Sequence, residues 1–433
     1  MTQMSRRSLM VGLGAATSTL AAPRRAGAQN RQITYWGHSF PTRIRLVNEM
    51  VPGFRQATGV DVAHFDYDTN QNELRILTSW AGGSGGPDLV SVGDSNLPNY
   101  VYRRMITPVD PTAFGFRTQA ELIAAYEPGV LDGCIVNGQL YGIPMDMASI
   151  SMYYRKDFFR EAGLDPERPP RTWDEVTEMG KALVKRDSSG RMTRAGWSWL
   201  ARTRPSHFYY WGTLLPQLGV DFLNANGTAN GFNNARGLAA FRYLHDTYHG
   251  SRISALGLAP TINPIDDFGA GRAAMINAGL WLAPALEDKY PAVNFRDGVY
   301  GIARLPQFRD GQPATRLNTW LWMVSARSRL PKETWQFVAH MTQKPENRAL
   351  WLNQARFMQP WKGSATDPGI QSMPYLDTFL ADLRIGKPMP ATPKFAELSA
   401  AVARSYDRIS ANGDRAEQVM PDLARDVDRL LEG

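Results

Sequence analysis

Three short stretches carry residue types at spacings that could do chemistry. Gly82-Gly83-Ser84-Gly85-Gly86 sets a serine among glycines, the spacing of a hydrolase nucleophile elbow. An elbow needs a strand before the serine and a helix after it. Here the apolar period predicts a helix before it, Asn72 to Trp80, and a strand after it, Pro87 to Val92, so the segment reads as a flexible turn. Asp66-x-Asp68-x-Asn70 begins like a calcium loop, but Gln71 stands where glycine is required and Leu77 where the bidentate glutamate belongs. His245 and His249 share one helical face at the spacing of a zinc pair. Asp246 replaces the glutamate of the metalloprotease motif and no third ligand can be named, so this pair reads as a solvated helix end. There is no phosphate loop and no dinucleotide-binding glycine pattern. No catalytic set, metal site or cofactor is expected.

The elements around these stretches explain their spacing. Gln32 to Trp36 reads as a strand, Thr42 to Thr58 as an amphipathic helix stopped by Gly59, and Val60 to Phe65 as a second strand. With the helix over Asn72 to Trp80 and the strand over Pro87 to Val92, the order is that of a parallel α/β sheet. Ligands bind beyond the carboxyl ends of such strands, which singles out the loops Trp36 to Ser39, Asp68 to Asn70 and Gly93 to Asn96. Further on, Thr172 to Glu175 is a capping box. Ala235 to His249 reads as a helix, Arg272 to Asn277, Tyr300 to Leu305 and Asn318 to Ser325 as strands, and Lys332 to Gln343 as a helix. Ala416 to Leu431 is helical with an expected break at Pro421. No internal repeat or low-complexity linker is present.

The N-terminus sets the compartment. Ser5-Arg6-Arg7-Ser8-Leu9 precedes an apolar run to Ala22 and the small residues Ala26-Gly27-Ala28. This is the layout of an export signal over residues 1–28, and its arginine pair resembles a twin-arginine signal. The apolar run is too short to span a bilayer, which needs about 20 residues. Removing the four leader arginines leaves 44 basic residues against 41 acidic ones, so the high isoelectric point is no argument for nucleic acid. Cys134 is the only cysteine, which excludes an internal disulfide and a thiolate metal cluster. Stability therefore rests on burial, for which twelve tryptophans are available. A chain of 433 residues exceeds one ordinary core, and two domains are expected.

Four segments in order resemble a known family. They are Gly86-Pro87-Asp88-Leu89-Val90; Asn137 to Pro144 with Met152 to Asp157, Ala162 to Pro166 and Pro170 to Glu175; Phe268 to Met275 with Gly279-Leu280-Trp281; and Trp335 to Val338 with Met341-Thr342. Together they resemble bacterial extracellular solute-binding proteins, the family that includes maltose-binding and glycerol-phosphate-binding proteins. The resemblance implies an α/β, two-lobed periplasmic-binding-protein fold of type II with a ligand cleft between the lobes. One lobe would combine residues 31–144 and 305–350, the other residues 145–304 and 351–433. It implies a periplasmic or extracytoplasmic monomer that closes on a small molecule and delivers it to the permease subunits of an ABC importer. Where many members carry a glycine pair this chain has Asn318-Thr319-Trp320, which narrows the cleft. An aromatic position that grips maltodextrins is Ser399 or Ala400, which argues against a long maltodextrin.

Aromatic rings cover the CH faces of sugars, and polar side chains bond their hydroxyls. The resemblance places Trp281 in the cleft, Asp94 where hydroxyl-binding residues follow the third strand, and Asp146 and Ser149 in the crossover after Pro144. Trp36 ends the first predicted strand, His38 and Asn70 lie in the loops after the first and second, and Trp211, Asn318, Trp320 and Arg356 complete the candidate set, with Trp322 assigned to the core. The ligand class is a mono- or small oligosaccharide or polyol. The alternatives are a polyol phosphate such as glycerol phosphate, for which Arg356 is the candidate cation, and a secreted carbohydrate-active enzyme, which would need paired carboxylates such as Asp94 and Asp146.

Overall fold

A computed structural model describes residues 31–432 except 83–84, 147, 200–205, 259–263, 356–358, 367, 372 and 374. The expected export signal lies outside the described residues. In chain order the principal strands are β1 (Gln32–His38), β2 (Asp61–Tyr67), β3 (Leu89–Gly93), β4 (Ile143–Pro144), β5 (Ser151–Arg155), β6 (Lys185–Arg186), β7 (Met192–Ser198), β8 (Ala273–Ala278), β9 (Tyr300–Ala303) and β10 (Trp320–Val324). They form two five-stranded sheets, ordered β2-β1-β3-β10-β4 and β9-β5-β8-β7-β6.

In the first sheet β1 runs parallel to β2 and β3, while β10 returns antiparallel between β3 and β4. All five residues of β3 are buried, as expected of a strand covered by helices on both faces. The helix Pro41–Thr58 starts on a proline, whose missing N–H costs nothing at that position, and stops at Gly59 in the left-handed conformation. Its Leu46, Val47, Met50 and Phe54 face the sheet. In the second sheet β8 pairs antiparallel with β5 and parallel with β7. The helix Trp173–Leu183 beside it opens on the expected box: the Thr172 hydroxyl accepts from the Glu175 N–H, and the Glu175 carboxylate accepts from the Thr172 N–H.

Each sheet anchors its own hydrophobic core. The first draws on residues from Ile33 to Met145 and from Leu321 to Trp361; the second draws on residues from Ile150 to Leu305 and from Met373 to Val427, together with Leu352. Trp351, Ala355 and Trp361 pack in the first core, which moves the boundary drawn at residue 350 past 361 on packing grounds. Leu305 packs in the second core, and Thr315–Arg316 pairs with Gly386–Lys387, so the chain re-enters the first lobe only after residue 316.

The helix Ala235–His245 continues past His249 as a π-helical turn over Asp246–Gly250. The His249 ring nitrogen Nε2 lies 2.7 Å from the Ile409 carbonyl oxygen, so that imidazole has a backbone partner. The last helix runs from Ala416 to Glu432 straight through Pro421, because its apolar side holds Val419, Met420, Leu423 and Val427 in the core. Among the described residues no helix is long and apolar enough to cross a membrane, and no group of His, Cys, Asp and Glu is arranged to hold a metal ion.

Candidate functional site

The two lobes are joined by a ribbon of backbone hydrogen bonds. Met145 donates its N–H to the Trp320 carbonyl at 2.7 Å, Asn318 to the Ala148 carbonyl at 2.8 Å, and Ile150 to the Arg316 carbonyl at 3.0 Å. The outgoing crossover after β4 and the returning crossover before β10 therefore lie side by side. A third segment is tied on by Gln359, whose amide nitrogen donates to the Met145 carbonyl at 2.7 Å.

Three buried acceptors cluster on this ribbon without a partner. Asp146 is 3 % exposed, and its Oδ1 has no hydrogen-bond partner among the described residues. The Asn318 Oδ1 and the Gln359 Oε1 are in the same condition. A buried acceptor left unmade costs roughly 1–3 kcal/mol, so each of the three needs a donor from water or from a bound ligand. Burial pushes the Asp146 carboxyl up to about 6, against the opposing pull of Arg43 and the Trp320 N–H.

An aromatic wall stands beside the ribbon. His38, the last residue of β1, stacks on Trp320, the first of β10, with ring centroids 3.5 Å apart. Arg43, in the first turn of the helix Pro41–Thr58, brings a guanidinium nitrogen to 2.7 Å from the His38 ring nitrogens and lies over the Phe40 and Trp320 rings. Burial, helped by the Arg43 charge, holds the His38 imidazole well below its ordinary pKa, so it is neutral. Trp36 is partly buried and meets Tyr67 edge to face at 5.2 Å, farther along the sheet toward β2. Trp322 lies fully buried in the first core, as the alternation of a half-exposed strand requires.

The second lobe contributes Trp281 and Tyr209. Trp281 is partly buried and packs against both hydrophobic cores, which makes it a bridge across the lobes. Its indole folds back over Gly279: a Cβ there would meet the indole Nε1 at 2.7 Å. Gly279 thus serves to admit the ring, not to turn the chain. Tyr209 is 8 % exposed, and its hydroxyl approaches Gly93 at the end of β3 in the other lobe. Asp94, the next residue, faces an interlobe cavity of about 560 Å³ shared with Gly129, Cys134, Thr319, Leu380 and Arg384. The surrounding protein desolvates its carboxyl and pushes it up to about 7, although the Ser95 N–H donates to it. Asp94 and Asp146 both act on the Tyr209 hydroxyl electrostatically. The helix Phe395–Ser410 packs on the Asp94–Asn96 turn; its buried Ser399 hydroxyl has no partner among the described residues.

Other candidates fall elsewhere. Trp211 lies in the second core against Phe222 and Phe241, wholly buried, because Phe208-Tyr209-Tyr210-Trp211 winds as helical turns and only Tyr209 faces the other lobe. Ser149 is buried with its hydroxyl directed to the Phe379 carbonyl and serves the crossover. Asn70 sits in the first turn of the helix Thr69–Ala81, which begins before the loop expected at Asp68 to Asn70 has ended. Arg356 lies outside the described residues. Arg43, Tyr209 and Gln359 escaped the sequence reading. Arg43 follows a proline inside an amphipathic helix, Tyr209 sits among three other aromatics, and Gln359 is an isolated glutamine, so no local signal sets them apart.

Comparisons with known proteins now bear on this arrangement. A family model described as bacterial extracellular solute-binding protein matches residues 49–378. A putative binding protein of Brucella abortus is 23 % identical over 98 % of this chain and 99 % of its own length. The sn-glycerol-3-phosphate-binding periplasmic protein of Shigella dysenteriae is 24 % identical over 59 % of this chain and 58 % of its own length. Among solved structures, an ABC transporter solute-binding protein of Thermotoga lettingae bound to α-D-tagatose superposes with a TM-score of 0.81 at 18 % identity, covering 93 % of this chain and 100 % of its own.

Proposed function

Because this chain belongs to the family of bacterial extracellular solute-binding proteins, we propose that it binds a mono- or small oligosaccharide or a polyol between its lobes and delivers it to the permease of an ABC importer. The observation that carries the ligand class is the set of unpartnered buried acceptors, Asp146 Oδ1, Asn318 Oδ1 and Gln359 Oε1, beside the His38–Trp320 wall. Acceptors require a ligand that donates, and sugar hydroxyls donate while their CH faces lie on aromatic rings. A phosphate group is mainly an acceptor at neutral pH. The site offers Arg43 but also two carboxylates, Asp94 and Asp146, which oppose an anion. A polyol phosphate, as named for the Shigella relative, is therefore the weaker reading.

The protein acts as a binder without turnover, exported by its N-terminal twin-arginine segment and working as a monomer outside the cytoplasm. Burial moves Asp94 and Asp146 in the same direction, whereas an acid–base pair needs environments that drive two carboxyls apart. A thermal-shift screen against sugars, polyols, polyol phosphates and amino acids tests the ligand class, since a ligand that binds only the folded state raises the melting temperature. A hit confined to phosphates or amino acids overturns the sugar reading. Mass spectrometry after prolonged incubation must return the hit unchanged; a converted product overturns the binding-only role.

A further inference from the structure

The end of the first sheet farthest from the crossovers carries a cluster of arginines that ligand capture does not use. β10 pairs with β3 so that Trp320 faces Gly93 at the cleft end and Val324 faces Leu89 at the other, four residues or about 13 Å away. Just beyond Val324 the chain meets a second segment: Thr107 donates to the Val324 carbonyl, Ile106 bridges Ser325, and Ala326 donates to the Met105 carbonyl. Arg104 and Arg327 lie in the turns on either side of these pairings. Arg104 is moreover held at a φ of 54°, a left-handed conformation unusual for arginine.

At the Arg327 turn lies a cavity of about 250 Å³ bordered by Arg327, Arg329, Ser325, Asp88 and the Gly85–Gly86 backbone. Among the described residues, the side chains of Arg104, Arg327 and Arg329 form no ion pair, and all three are exposed. The one carboxylate at the cavity, Asp88, is already engaged: its oxygens accept the Thr34 N–H and the Ser328 hydroxyl. The Ser325 hydroxyl accepts the Arg327 N–H and keeps its own proton to donate. Fixed positive charge, a free hydroxyl and small-residue backbone around a polar hollow match the needs of a compact oxyanion.

We infer that this cavity is a second binding site, remote from the cleft, that takes a phosphate group held by Arg327 and Arg329. The phosphate neutralises the arginine pair, so the folded chain is more stable with it than without it. It comes either free from solution or on the headgroup of an anionic lipid, where it would hold the exported protein against a membrane surface.

The test uses the mature protein in phosphate-free buffer. Inorganic phosphate at about 10 mM is expected to raise the melting temperature by about 2 °C or more over sodium chloride of equal ionic strength. The rise should vanish in R327Q/R329Q and persist in D146N, which reports the cleft. No phosphate-specific rise in the parent, or a rise that survives R327Q/R329Q, overturns the proposal; loss in D146N alone would assign the phosphate to the cleft and also overturn it. Sedimentation with phosphatidylcholine vesicles containing about one third phosphatidylglycerol separates the sources. Retention competed by free phosphate assigns the headgroup, and a phosphate-dependent melting shift without retention assigns the free ion.

Discussion

His38 and Trp320 lie face to face, ring planes 25° apart, although they are 282 positions apart in the chain. The stack joins the end of the first strand to the start of the strand that returns from the second lobe. It also aligns Arg43 and the Asp146 crossover against one wall, since Met145 is bonded to the Trp320 carbonyl. Replacing Trp320 by alanine keeps that carbonyl but removes the wall. Isothermal calorimetry with the sugar found in the screen should show affinity reduced about 30-fold or more, the loss typical of a buried aromatic anchor, roughly 2–4 kcal/mol. Unchanged affinity would place the ligand away from this wall.

Trp281 offers a paired test. Trp281→Ala should weaken sugar binding by a similar factor and lower the ligand-free melting temperature only modestly, because the ring is partly exposed. Gly279→Ala should weaken binding too, since its Cβ would meet the indole at 2.7 Å and force the ring out of place. If Trp281→Ala instead costs about 3–5 kcal/mol of stability and folded protein binds normally, the ring is core and not ligand wall.

Closure should depend on pH. The Asp94 and Asp146 carboxyls stand at about 7 and about 6 in this compact form, above the ordinary carboxylate range, because burial disfavours their charge. In an opened or unfolded chain they would ionise near 4. The compact form thus binds more protons between about pH 4 and 7, and its stability falls as pH rises through that window. Small-angle scattering of the ligand-free protein should give a smaller radius of gyration at pH 5 than at pH 8. Asp94→Asn should shrink the difference; a difference of the opposite sign would show that closure does not bury these groups.

Ligand binding should compact the molecule. A solute that touches both the Asp146 ribbon and Trp281 biases the hinge toward closure. Scattering at saturating sugar and neutral pH should show a reduced radius of gyration. No change would mean that the lobes are already closed without ligand, which the pH series would reveal independently.

Export should require both Arg6 and Arg7. Substituting lysine at both positions and fractionating cells should leave the precursor in the cytoplasm. Normal export of that variant would remove the twin-arginine assignment.

Local sequence was sufficient for what depends on neighbours in the chain. The capping box at Thr172 and the stop at Gly59 follow from residues within a few positions of one another, and the parallel run of β1 to β3 from the order of the elements. The four spaced segments sufficed for the family, because they fix the order of elements in two lobes. Side-chain fates were another matter. Trp211 and Trp281 look alike in sequence, each within two residues of a glycine, yet one is wholly buried and the other spans two cores. That difference depends on which turn of a helical segment faces the opposite lobe, and the opposite lobe is built from distant residues. Arg43, Tyr209 and Gln359 reached the candidate site only when β10 returned beside β3 and carried Asn318 to Asp146. Long-range pairing decides which polar atoms lose water without gaining a partner, and those orphaned atoms, more than any motif, indicate what the cleft is shaped to hold.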